Sequence, residues 1–128
     1  MCNDNRNSNY IANLLEKILL LQQTEETGLG GCEKPFLGNI PILANTRPLN
    51  LYTCCNGTLW TMPYNDQNNN QLGESSFFRI ENVNDNCATF RILIQEDNGY
   101  AATNNFFMID LNCISCIKCL NDTLINNL

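Results

Sequence analysis

Residues 87–99 read CATFRILIQEDNG, and this stretch carries the clearest fold signal in the sequence. Successive side chains of a strand point to opposite faces of a sheet. The apolar residues at even positions, from Ala88 to Ile94, therefore point one way, whereas polar residues such as Thr89 and Arg91 point the other. The sequence predicts a strand over residues 87–95 with one buried face, followed by a hairpin turn at Asp97-Asn98-Gly99.

Other parts of the chain alternate in the same way. Asn56-Gly57 is a strong hairpin signal because a type I′ turn needs positive φ at both central residues, and it separates Leu49–Cys55 from Thr58–Met62. Ser76–Val83 and Phe106–Cys113 are also predicted strands. Together the strands predict a mainly β fold, a β-sandwich or flattened barrel. The core candidates outside residues 87–95 are Phe78, Ile80, Phe107, Ile109 and Leu111.

The N-terminal part follows a different period. Residues 9–23 predict an amphipathic helix, because apolar residues from Ile11 to Ile18 recur on one face, and Ser8 or Asn9 is expected to cap it. Glycines at positions 28, 30 and 31 follow as a flexible joint. We therefore expect residues 1–30 to form a helical arm and residues 31–128 to form a β domain with a cysteine-rich C-terminal segment. The pattern leaves open whether the helix docks on its own chain or on a neighbour.

Composition narrows the classes of function. The 128 residues suffice for one domain, and charged residues make up only 16% of the chain, below the roughly 25% usual for soluble domains. Asparagine-rich, weakly charged surfaces allow copies to pack closely. Net charge is −6, the seven basic residues are scattered, and no histidine is present. We expect no nucleic-acid partner and no catalytic residues.

Eight cysteines occur in a chain that starts with a polar segment and has only four consecutive apolar residues at Ile18–Leu21. We therefore expect no signal peptide and no association with a membrane. Thiols remain reduced in the cytosol, so these cysteines either hold metal or are oxidised late. Late oxidation is typical of a protein that is released when the cell that made it lyses.

The cysteines divide by position. Cys54 and Cys55 are adjacent, so in a strand they point to opposite faces and at least one is expected to face outward. Cys2 has the reach of a chain terminus. The candidates for cross-links between molecules are Cys2, Cys54, Cys55, Cys113, Cys116 and Cys119, with Cys32 and Cys87 as further disulfide candidates. Spacing alone does not select the pairing among them.

Two alternatives use the C-terminal run. Cys113, Cys116 and Cys119 have C-x2-C-x2-C spacing, which resembles the start of an iron–sulfur motif, although the motif's fourth cysteine and proline are missing. A zinc site would need a fourth ligand such as Cys32 or Cys87. A thiol oxidoreductase would use a C-x-x-C pair at the start of a helix, a setting the sequence does not show. The favoured interpretation requires no cofactor.

Several segments occur in the order found in one protein family. Gly31-Cys32-Glu33-Lys34-Pro35-Phe36-Leu37-Gly38, Ala44-Asn45-Thr46-Arg47-Pro48, Phe78-Arg79-Ile80-Glu81 and Asp110-Leu111-Asn112-Cys113 resemble the spore coat proteins CotY and CotZ and the exosporium protein ExsY. The resemblance implies a structural protein of the spore outer coat or exosporium, made in the mother-cell cytoplasm. It implies self-assembly into a hexagonally ordered lattice that is hardened by disulfides, together with other coat proteins, and it implies no enzymatic activity.

Overall fold

The structure is a computed structural model, which describes residues 5–27, 44–54 and 56–128. Helix α1 spans Asn5–Thr27. The strands are β1 (Leu49–Thr53), β2 (Met62–Asn65), β3 (Gln71–Ser75), β4 (Phe77–Asn84), β5 (Cys87–Glu96), β6 (Gly99–Asp110) and β7 (Ile114–Cys119). A 3₁₀ helix, Leu111–Cys113, joins β6 to β7. The joint at residues 28–31 and the predicted boundary between residues 30 and 31 lie outside the described residues.

Five strands form one antiparallel sheet in the order β6-β5-β4-β1-β7, and β2 and β3 form a separate hairpin. The predicted mainly β fold with an N-terminal helix is confirmed. Within the described residues, the outer strands β6 and β7 are not paired with each other, so the sheet is not a closed barrel. Because only three residues separate them, these two strands nevertheless come close together at one end, and the sheet curls.

The core lies between α1 and one face of the five-stranded sheet. Phe78 stands 5.0 Å from Phe107 and 6.2 Å from Phe90 between ring centroids. Ile11, Leu15 and Ile18 of α1 are buried in the same cluster, so the helix docks on its own chain. Each fully buried side chain of this size contributes roughly 1.5–3 kcal/mol. The other core predictions hold, since Ile80 and Leu111 are buried and Ile109 packs against the cluster.

Helix α1 extends beyond the predicted residues 9–23. It already includes Asn5, so Ser8 and Asn9 lie inside the helix and the prediction that one of them caps it is wrong. Leu20, which falls outside the predicted apolar face, is 63% exposed. No helix among the described residues is both long and apolar enough to cross a lipid bilayer.

Two strand predictions need correction, one after the turn at Asn56-Gly57 and one within β5. The hairpin at Asn56-Gly57 closes with one bridge, Tyr52 to Leu59, and the next strand begins only at Met62, although Gly57 has the expected positive φ of 62°. Leu93 is fully buried, and Ile94 is half-buried. Leu93 lies opposite Phe77, next to the pair of Phe78 and Ile92 that belongs to the core cluster, so Leu93 points to the other face of the sheet and β5 is buried on both faces at this point.

Both ends of the predicted strand Phe106–Cys113 also differ from the structure. Strand β6 begins at Gly99 rather than Phe106, and it ends at Asp110 because the chain turns into the 3₁₀ helix. The β2–β3 hairpin was not predicted. Its turn is stabilised by the Asp66 carboxylate, which accepts hydrogen bonds from Asn68 N (2.8 Å) and Asn70 N (3.0 Å). Both backbone N–H groups lower the pKa of the Asp66 carboxyl group, and the one of Asn70 has the larger effect.

Candidate functional site

Strand β7 carries two of the predicted cross-linking cysteines on opposite faces. Cys116 lies opposite Tyr52 of β1, and Cys119 lies opposite Leu49. Directly opposed residues of an antiparallel pair share a face, and Tyr52 and Leu49 are three residues apart. Cys116 and Cys119 are both exposed, so β7 presents thiols to both sides of the sheet.

Cys113, the remaining cysteine of the run, is the last residue of the 3₁₀ helix. Asp110 begins that helix by accepting a hydrogen bond from Asn112 N at 3.0 Å. Cys113 is exposed, and its carbonyl oxygen accepts a hydrogen bond from Cys54 N at 3.0 Å. The pairing of β1 with β7 shifts by one residue beyond Tyr52, so Cys113 does not continue the regular register of β7. We call Cys113, Cys116 and Cys119 the cysteine edge.

Cys87 is exposed at the start of β5, where it lies opposite Asp110 of β6. The backbone after Asp110 bends back toward the same turn, because Leu111 N donates a hydrogen bond to Asn86 O at 2.7 Å. The free, exposed thiols of the described residues are Cys87, Cys113, Cys116 and Cys119. Their accessibility fits a role in bonding to another molecule.

The other predicted cysteines are less exposed or fall elsewhere. Cys54 is half-buried, and its Sγ lies 3.2 Å from the carbonyl oxygen of Asn112. Cys2, Cys32 and Cys55 lie outside the described residues. The cross-linking assignments of all eight cysteines therefore stay predictions.

The geometry does not favour the two alternatives for the C-terminal run. Across residues 5–27, 44–54 and 56–128, no group of three His, Cys, Asp or Glu side chains is arranged to hold a metal ion. Cys113 is followed by strand β7, which contains Cys116, and not by a helix, so the pair lacks the helix N-terminus at which thiol oxidoreductases hold their C-x-x-C motif.

A polar cluster behind the sheet was missed as a site in its own right. Several of its residues belong to the segment Ala44–Pro48, which carried part of the family resemblance and was not predicted to form a site. Asn45 binds the C-terminal segment through its side chain, donating to Ile125 O at 2.9 Å and accepting from Ile125 N at 3.0 Å. The backbones of Thr46 and Thr123 also pair. We call this cluster, together with Arg47, Arg79 and Asp122, the clamp.

Arg79 is the buried centre of the clamp, with only 7% of its side chain exposed. Its Nε donates to Thr46 Oγ1 at 2.9 Å, and its Nη2 donates to Asn45 O at 3.1 Å. Its Nη1 forms an ion pair with Glu81 at 2.7 Å. A guanidinium can make these contacts at once because it presents five donors in a fixed plane, so the clamp is built for structure.

Helix α1 is connected to the clamp through Gln22, a buried residue. Gln22 Nε2 donates to Ile80 O at 3.0 Å, and its Oε1 accepts from Arg47 N at 3.1 Å. One side chain thus joins the helix, β4 and the segment before β1. A polar residue on the buried face of a predicted helix was the available sequence signal for this contact.

The two outer strands of the sheet differ in how their edges are covered. At the β6 edge, the Asn127 side chain accepts from Ala102 N at 3.1 Å and donates to Ala102 O at 2.9 Å. Phe106 and Met108, on the same strand, are 51% and 69% exposed, and the Arg91 guanidinium stands 5.0 Å from the Phe106 ring centroid. Strand β6 therefore combines a partly capped edge with an exposed apolar pair.

A family model described as Spore coat protein Z matches residues 1–105. The chain belongs to the spore coat protein Z family. The resemblance found in the sequence is thereby confirmed. Spore coat protein Z of Bacillus subtilis (strain 168) is 28% identical to this chain over 140 aligned residues, which cover 94% of the chain and 95% of that protein. No solved structure matches the chain.

The family match ends at residue 105, before the cysteine edge. Both clamp arginines lie inside the matched residues, whereas Asp122 and the three thiols lie beyond them. The spore coat protein Z family model therefore covers α1, the strands β1 to β5 and the first part of β6, and the alignment with the B. subtilis protein extends further along the chain.

Proposed function

We propose that this chain is a structural subunit of the outer layers of the bacterial endospore, the coat or the exosporium. Copies of the chain assemble into an ordered two-dimensional lattice with hexagonal symmetry, other coat proteins join it, and disulfides then make the lattice permanent. The protein is made in the mother-cell cytoplasm and has no enzymatic role. Membership of the spore coat protein Z family supports the structural role.

The observation that carries the proposal is the cysteine edge, where three free thiols are exposed along β7 and the turn before it. A fold with a buried core of this size does not need exposed thiols for its own stability. Thiols on an outer strand are instead accessible to another molecule. The edge therefore suits covalent bonds between subunits.

Association without covalent bonds precedes oxidation in this proposal. Phe106 and Met108 offer apolar area on β6, and the low content of charged residues leaves little repulsion between copies. Non-covalent contacts fix the arrangement of the subunits, and disulfides formed later retain it.

The oxidation step has a simple balance. Two thiols lose two protons and two electrons as one S–S bond forms, and dioxygen accepts both and is reduced to hydrogen peroxide. Thiols in a reducing cytosol remain unpaired, so bonds form only after the mother cell lyses. Assembly and cross-linking are thus separated in time.

The test is electron microscopy of the purified full chain, prepared in reductant and then either kept reduced or oxidised in air. We expect ordered arrays in both samples, with only the oxidised arrays surviving detergent and heat. Arrays that dissolve equally in both states would contradict cross-linking. Absence of any ordered array across a wide range of protein concentrations would overturn the proposed function.

A further inference from the structure

The outer side of β7 carries backbone groups that no described strand uses, because β7 ends the sheet within the described residues. Leu120 N donates to Pro48 O at 2.9 Å, so the backbone of residue 120 points toward β1. This direction alternates along an antiparallel strand, and the register is regular from Cys116 to Cys119. The backbone N–H and C=O groups of Cys116 therefore point toward β1, whereas those of Ile117 and Cys119 point away from β1, to the open side of β7.

We propose that two copies of the chain pair antiparallel through β7 about a twofold axis at Cys116, and that a disulfide then joins the two Cys116 sulfurs. The proposal deepens the proposed function, on which it rests, by naming one contact of the assembly and the bond that locks it. The partner is a second copy of the same chain.

Backbone direction makes Cys116 suitable for this bond. On the outer side of β7 it occupies a non-hydrogen-bonded position, where the Cα atoms of opposed residues lie about 4.5 Å apart. Disulfides join Cα atoms about 4.4–6.8 Å apart. Opposed side chains also share a face, and Cys116 is exposed. The bond thus forms without displacing the strand.

The twofold axis follows from the same alternation. Two residues that lie opposite each other in an antiparallel pair direct their backbone N–H and C=O groups alike, either both toward the other strand or both away from it. Neighbouring residues of one strand differ in this direction, so they cannot lie opposite each other's copies, and the twofold axis passes through a residue and not between two. A twofold axis at Cys116 and one at Ile117 would each pair most of β7 with the β7 strand of the second copy. Only the axis at Cys116 sets a thiol directly opposite another thiol.

The other two cysteines of the edge fit this contact poorly. Cys119 ends β7, so an axis there would pair only a short stretch of the two strands. Cys113 lies in the 3₁₀ helix, beyond the shift in register. They remain available for bonds to other molecules.

The opposite edge of the sheet is less suited to pairing with a second copy. The Asn127 amide occupies both backbone groups of Ala102, which a new strand would need. A polar group that occupies backbone donors and acceptors hinders strand addition at that part of the edge. Among the described strands of the five-stranded sheet, β7 is therefore the better candidate for strand pairing.

The bond forms as two Cys116 thiols lose two protons and two electrons to dioxygen, which becomes hydrogen peroxide. The test mixes equal amounts of full-length chain at natural isotope abundance and chain labelled with ¹⁵N, assembles them reduced, oxidises them in air and digests them without reduction. A Cys116–Cys116 bond between molecules yields a linked peptide in light, mixed and heavy forms near 1:2:1.

Matched variants separate the cysteines. The double variant Cys113→Ser/Cys119→Ser retains Cys116 and is expected to give linked dimer within about twofold of its wild-type yield. Cys116→Ser, which retains the other two, is expected to reduce the linked dimer at least tenfold early in oxidation. These are exposed positions, so circular dichroism should show the same fold for all variants.

The possible outcomes distinguish the two proposals. An ordered array in which Cys116 bonds to a different cysteine, or an unchanged dimer yield in Cys116→Ser, overturns the twofold pairing and leaves the proposed function standing. The Cys116–Cys116 peptide in the absence of any array supports the pairing and overturns the lattice.

Discussion

Arg47 and Asp122, 75 residues apart in sequence, form a two-point ion pair, with Nε 2.6 Å from Oδ1 and Nη2 2.9 Å from Oδ2. The pair attaches the segment that follows β7 to the segment that precedes β1. The hydrogen bond from Arg47 lowers the pKa of Asp122 below its ordinary value. This contact is the part of the clamp that lies nearest in sequence to the cysteine edge.

Asp122→Asn is expected to lower the free energy of unfolding at pH 7 by at most about 1 kcal/mol, because 45% of the Asp122 side chain is exposed. A lowered folded-state pKa stabilises the fold above the ordinary carboxyl value near ~3.9, and this contribution is lost as the pH falls through the folded-state pKa. Urea unfolding of reduced protein from pH 2 to pH 7 measures it. The control is Asp97→Asn, in the exposed β5–β6 turn. A difference from wild type that persists unchanged at pH 2 would contradict the role of the charge.

Arg79→Met is expected to destabilise the fold by about 3–5 kcal/mol, because it leaves the Glu81 carboxylate and the Asn45 and Thr46 oxygens without their buried donor. Thermal and urea unfolding measure the loss. Lys118→Met, which removes an exposed cation, is the matched control and should change stability by about 0.5 kcal/mol or less. Equal effects from both variants would show that the clamp contributes little.

Native thiol labelling is expected to modify Cys87, Cys113, Cys116 and Cys119 rapidly in the reduced monomer, because all four are exposed. A maleimide reagent followed by peptide mapping identifies the modified residues. Oxidised arrays should show protection at those cysteines that have formed bonds. If any of the four reacts in the monomer only after unfolding by urea, its placement on the surface is wrong.

Met108→Ser is expected to raise the protein concentration at which arrays form under reducing conditions, since Met108 is 69% exposed and its apolar area supports the first, non-covalent step. Light scattering against concentration gives the threshold. The melting temperature should stay close to wild type because the side chain lies outside the core. Gln95→Ser, also exposed, serves as control, and an identical threshold in both variants argues against a role for Met108.

The sequence predicted the fold class well where alternation was uninterrupted. Strand β5 and the turn at Asp97–Gly99 follow directly from the pattern, and Phe78 and Ile80 are buried as expected. Errors arose where both faces of a strand are buried, as at Leu93, which lies on the face opposite to that of Phe78 and Ile92. Periodicity marks the apolar face of a strand and gives no signal for a second face that distant segments cover, so the burial of Leu93 was not predicted.

The candidate site was predicted in composition and not in arrangement. The spacing of Cys113, Cys116 and Cys119 was visible, whereas their place on an outer strand depends on the pairing of β7 with β1, a contact between distant parts of the chain. The clamp was missed for the same reason. In the sequence Arg79 resembles any exposed arginine of a strand, and its burial depends on contacts with the distant Ala44–Pro48 segment.

The amide of Asn127 on Ala102 bears on how growth of the proposed assembly would be limited. A sheet with two open edges adds copies end to end without limit, which is the route to amyloid-like fibres. The Asn127 amide covers part of the β6 edge, so under the proposed pairing through β7 a broad layer would spread through contacts of another kind. Asn127→Ala therefore offers a way to ask whether loss of one amide turns a flat shell into filaments.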